Sequence, residues 1–268
     1  MHYPHPDGGL FRRLQTLARC FCLTGLLTGL SLIAGGGHAA APDYNDFDAV
    51  LLRNVQHGFV DYAGINADPA FARFITHIGE TRTEDVPDSR SYLAFLINAY
   101  NAFAIQGILD GYTPASWLGR YSYFRYRKYL LMGQSITLQD LESRQLIPQG
   151  DPRIHFAIVC ASISCPRLSS RAYLPEKLDA QLDIAARAFI NDNTRNRFDV
   201  QRKIAFVSKI FDWHQQDFIK AAGSIQKYMA KHVDNPDVAS LLATDGFELR
   251  FIPWDWELNG TLPRQTKP

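Results

Sequence analysis

The sequence predicts an α+β domain in which a mixed sheet packs against a buried central helix. Three observations predict it. Ser91 to Leu109 is apolar nearly all round, a pattern that a helix tolerates only when neighbours cover it on several sides. Arg153 to Cys160 reads as an apolar strand, Ile154 to Val159, that breaks at once into small residues. Two partly alternating runs, Tyr121 to Ile136 and Phe198 to Phe211, read as hairpins.

The elements follow in order. Arg12, Arg13 and Arg19 precede the apolar run Cys20 to Ala34, and Gly35 to Ala41 is a small-residue stretch. This is the layout of a secretory leader, with Gly37 and Ala39 in the small positions before the cut. Residues 1–39 are therefore expected to be a signal peptide and residues 40–268 a single globular domain, periplasmic or secreted. No later stretch is expected to be apolar for long enough to cross a membrane. Tyr44 to Val55 has helical spacing, Gly58 to Tyr62 is β-prone, and Asp68-Pro69 opens a helix that ends near Gly79. In the central helix, Asn98 and Asn101 are three apart and share a face. A buried amide without partners costs about 1–3 kcal/mol, so both must bond something specific. That is either loop backbone or a ligand in a pocket. Thr137 is placed to start a helix that carries Glu142 between Leu141 and Leu146. Pro175 starts a long amphipathic helix. After the second hairpin comes Asp212-Trp-His214-Gln-Gln-Asp217-Phe218, then two short helices, a last strand over Phe247 to Ile252, and a tail rich in rings and carboxylates that is expected to dock.

A formal net charge of +1, with acidic and basic residues interspersed, argues against nucleic acid as a partner. The alternation of basic and aromatic residues around Tyr123, Arg125, Arg127 and Tyr129 is too short to reverse that. The expected partner is a small-molecule or peptide ligand. Membrane contact is expected only through an uncleaved leader. Of the four cysteines, Cys160 and Cys165 remain after processing.

These two, with His155, are where chemistry is expected. A catalytic cysteine needs a base that lowers its thiol pKa and carries its proton, and a third group that orients the base. Cys160 or Cys165 as nucleophile, His155 as base and Glu142 as orienter fill those roles, with Asn98 and Asn101 contacting substrate. Strand alternation puts His155 and Cys160 on opposite faces, so the loop must turn one sulfur back. A structural disulfide in an oxidising compartment is the rival reading. A metal reading would use Cys160, Cys165, His155 and His214, but the spacing matches no strong zinc signature, so neither metal nor cofactor is expected.

Several pieces together resemble the DUF547 family: Phe95-Leu-Ile-Asn98-Ala-Tyr-Asn101-Ala, Ser135 to Glu142, Arg153 to Pro166, Leu174 to Phe189, Val207 to Trp213, Asp217-Phe218 and Trp254 to Asn259. The core of the resemblance spans about Ser89 to Phe218. It implies an exported bacterial protein with no assigned activity, and it favours Cys160 over Cys165 as the shared residue. A weaker, fold-level resemblance to papain and transglutaminase arrangements places a buried helix before a strand bearing His, with Asn98 and Asn101 where that layout has its nucleophile. The expected activity is that of a thiol-dependent hydrolase or acyl transferase on a peptide-like or amide substrate. The alternative is a non-catalytic envelope binding module with a structural Cys160/Cys165 loop.

Overall fold

Asp88 starts the helix on which the rest of the chain packs. Its carboxylate accepts from the backbone N–H of Arg90 and Ser91, satisfying two donors that the first turn leaves open. The helix then runs from Ser89 to Leu109, and nearly every residue from Leu93 to Ile108 is buried. The computed structural model describes residues 42–262. The expected signal peptide over 1–39 lies outside the described residues.

Contrary to expectation, one later stretch, the central helix, is long and apolar enough to cross a membrane by length and composition. Its most apolar window is 83% buried within the protein, as a core helix is. A low amphipathic contrast follows from the same burial: no face of this helix is left for solvent.

The other expected helices form close to their expected bounds. They include Asn45–Asn54, Pro69–Glu80 with Asp68 as its cap, and Leu178–Ile190 behind a short turn that begins at Pro175. Strand content is divided among three small sheets. Val55–Gln56, Phe59–Asp61 and Gly260–Thr261 form one, with the last strand parallel to its neighbour. Lys128–Leu131 and Gln134–Thr137 make a hairpin. Arg197–Asp199, Ile204–Val207 and Glu248–Phe251 form the third, its final pair also parallel. The fold is thus mixed α and β, with small mixed sheets around a buried helix.

Two expectations are corrected. The stretch from Tyr121 to Tyr126 is helical, and only Lys128 to Thr137 forms the hairpin. Ile154 to Val159 is not a strand: Pro152–Phe156 is a tight helical turn capped by Asp151. The apolar run that suggested a strand reflects burial alone, and periodicity cannot separate a short buried strand from a buried turn.

Apolar side chains gather in two clusters. The larger surrounds the central helix and includes Ile154. The smaller includes Phe156, Phe189, Phe211, Phe218 and Tyr228. Trp254, in the C-terminal tail, packs against both. His155 therefore stands in the chain between a residue of one cluster and a residue of the other, and this junction carries the site.

Candidate functional site

Each site residue is placed by its own local structure. Glu142 lies in a π-helical turn, Leu141–Leu146, that continues the helix capped by Thr137. Leu141 and Leu146 hold that turn against the core, and such turns recur at functional sites. His155 lies in the turn after Asp151, with its side chain almost fully buried at 1% exposure. His214 and Asp217 flank the junction between the helices Ile210–Trp213 and Gln215–Ala222.

These elements converge. His155 Nε2 is 2.8 Å from Asp217 Oδ2. In the neutral ring, with the carboxylate as acceptor, Nε2 carries the proton and Nδ1 keeps its lone pair. Nδ1 is buried and has no hydrogen-bond partner. The rings of His155 and His214 stack with centroids 3.8 Å apart and planes 22° apart, and the Phe218 ring packs edge-on against His155. His214 Nε2 is 3.5 Å from Glu142 Oε1. Tyr100, from the central helix, hydrogen-bonds the Glu142 carboxylate.

The electrostatics follow from this packing. Burial pushes the Glu142 carboxyl above its ordinary range, and the charge of Asp217 adds to the rise. Positive charge at His155 and the bond to Tyr100 oppose it. Burial holds the His214 imidazole well below its ordinary value, and a charge on His155 would lower it further. Burial thus favours the neutral form of His214.

The two cysteines have another role here. Cys160 and Cys165 are joined by a disulfide, so neither sulfur is a thiolate and the nucleophile assignment finds no free sulfur. Ser162 Oγ sits 3.3 Å from both sulfurs and accepts from Trp254 Nε1 at 3.0 Å. Arg195 donates to the carbonyls of Ile163 and Cys165. The tail seals the other side, with Ile163 N–H bonded to Glu257 O and Asn259 N–H to Ala161 O. Ala161 holds a positive φ of 62°, a conformation that costs an L residue about 1–2 kcal/mol and persists under such clamping.

Asn98 and Asn101 both bond loop backbone. Asn98 donates to Tyr173 O at 2.7 Å and accepts from Tyr173 N–H at 2.9 Å. Asn101 likewise bridges Ala157 O and Val159 N–H, at 3.0 and 2.9 Å. Each amide spends one donor and its acceptor in pinning a loop to the central helix, so the substrate-contact role expected of both is corrected to a structural one. Glu142 also changes role. The carboxylate that orients His155 is Asp217, whereas Glu142 pairs with His214 and Tyr100.

The sequence reading placed Glu142 and His155 in the site. It named His214 only as a metal candidate and missed Asp217 and Tyr100 as site residues. A signal was present in Asp212-Trp-His214-Gln-Gln-Asp217: His214 and Asp217 are three apart, which brings them to one side of a helical junction.

No curated protein matches the chain, and no solved structure matches it. A family model does match, over a stretch that includes the central helix, Glu142, His155 and the disulfide loop but ends before His214 and Asp217. Residues 86–190 match the model of the family described as protein of unknown function, DUF547.

Proposed function

We propose that this protein is an exported hydrolase of peptide-like or amide substrates whose attacking group is a water molecule and not a cysteine. The observation that carries the reading is the convergence of Glu142, His155 and His214 within 4.8 Å of one another, with Asp217 behind His155. Glu142 is part-exposed at 24%, and its raised pKa makes it a stronger base than an ordinary carboxylate. It takes a proton as water adds to the carbonyl carbon. The proton passes to the leaving amine as the C–N bond breaks. His155, held in one tautomer by Asp217, positions the reacting groups.

Export is supported by the leader-like residues 1–39 and by the Cys160–Cys165 disulfide, which suits an oxidising compartment. The second reading, a non-catalytic envelope binding module, is favoured by the use of Asn98 and Asn101 as loop anchors.

The test is steady-state hydrolysis of a panel of amide and peptide substrates by the purified protein and by Glu142→Gln. Loss of a general base costs about 10²–10⁴-fold in rate. The expected result is a fall in kcat of at least about 100-fold with little change in KM. Turnover that survives Glu142→Gln would overturn the role of Glu142, and saturable binding with no turnover across the panel would favour the binding module.

A further inference from the structure

The geometry points to a site for one divalent transition-metal ion of the zinc class, held by Glu142, His155 and His214, with Asp217 as the carboxylate behind His155. The inference rests on the site assignment made above but not on its turnover: a Glu142 carboxylate that held the ion would be a ligand and not the proton acceptor.

The donor set comes first. One ligand atom from each of the three residues lies within 4.8 Å of the others. Two imidazoles and a carboxylate suit zinc, and three protein ligands leave a coordination position for water or substrate. Around a tetrahedral ion with bonds of about 2.1 Å, neighbouring ligand atoms stand about 3.4 Å apart. Glu142 Oε1 and His214 Nε2 are already 3.5 Å apart. The remaining approach is about an ångström, within reach of side-chain rotation.

The unpartnered nitrogen is an independent observation. His155 is almost fully buried and its Nδ1 makes no hydrogen bond, although an orphaned polar atom of this kind costs about 1–3 kcal/mol. Asp217 occupies the opposite nitrogen at 2.8 Å. A carboxylate that accepts from one imidazole nitrogen while the other keeps its lone pair is the outer arrangement of metal-bound histidines, where it fixes the ring and raises its basicity.

The rings now stack with planes 22° apart, so their in-plane lone pairs run side by side and do not meet at one point. Binding therefore turns one ring. His214 is the free one: it caps a helix junction and its side chain is 21% exposed, whereas His155 is enclosed and tied to Asp217. Sequence spacing hid this set, because its ligands come from three separate elements.

The test is titration of chelator-treated, tag-free protein with Co²⁺, followed by visible absorption, and with Zn²⁺, followed by calorimetry. Expected are one equivalent bound, cobalt bands of low-coordinate N/O ligation, and at least about a 100-fold loss of affinity in Glu142→Gln and His214→Ala. Asp217→Asn should cost about 10- to 100-fold, the range for a lost outer carboxylate. Thermal melts of each variant check that it is folded. Absence of stoichiometric binding by the wild type would overturn the inference, as would unchanged affinity in folded Glu142→Gln and His214→Ala. Metal binding without hydrolysis leaves this inference standing and removes the hydrolase. Hydrolysis that survives chelation, with no cobalt bands on titration, does the reverse.

Discussion

At the scale of single residues, a buried polar side chain is informative because it must be satisfied, and two asparagines on one helix face are satisfied in different places. Asn101 closes a bridge to Ala157 and Val159, and Asn98 does the same at Tyr173. Truncating Asn101 leaves a carbonyl and an N–H without partners in a buried position. At about 1–3 kcal/mol for each, Asn101→Ala should cost about 2–6 kcal/mol, read as a lower urea midpoint with an unchanged slope. A loss under about 1 kcal/mol would mean that water replaces the amide. Helical spacing made it legible that both residues face one way. It could not show that backbone is what they face, because Tyr173 and Ala157 are distant in the chain.

At the scale of elements, the loop from Cys160 to Cys165 depends on cross-links more than on its own propensity. The disulfide, the Arg195 bonds to Ile163 and Cys165, and the tail around Glu257 and Asn259 hold a segment that includes the strained Ala161. A disulfide closing so short a loop contributes about 2 kcal/mol by the chain-entropy relation. Replacing both cysteines by serine should therefore lower the unfolding free energy by about that amount. Chemical denaturation of the oxidised wild type beside the double variant measures it. Equal stability of the two proteins would show that Arg195 and the tail suffice alone. The chemistry of this loop was misread for a physical reason. Two nearby cysteines and a histidine satisfy the composition of a thiol site as well as that of a disulfide loop, and only position separates them.

At the scale of the whole molecule, the fold keeps ionisable groups in forms that water would not choose, and this ties stability to pH. The His232 ring packs at a 47° tilt against Tyr228, centroids 5.1 Å apart, and is flanked by Asp183, Arg153, Arg187 and Lys231. Burial lowers its pKa from 6.5, the nearby cations lower it further, and Asp183 opposes the fall. The unfolded chain thus binds this proton at a pH where the folded one does not. The His232 contribution is complete above pH 6.5 and is lost as pH falls towards the folded pKa. Melting temperatures between pH 5 and 7 should fall less steeply for His232→Gln than for wild type, and parallel curves would refute the assignment. At this scale the sequence by itself determined most of the long helices and which segments are buried, but not the short helical turns at residues 121–126 and Pro152–Phe156. Apolar spacing, Asp68-Pro69, Pro175 and the density of rings in the tail are local signals that local physics converts into structure. Only the tertiary structure decided which side chains meet. Glu142, His155, His214 and Asp217 lie on three elements, and the contacts that join them come from packing at the junction of two apolar clusters. Packing of that kind is a property of the folded whole, and no window of sequence contains it.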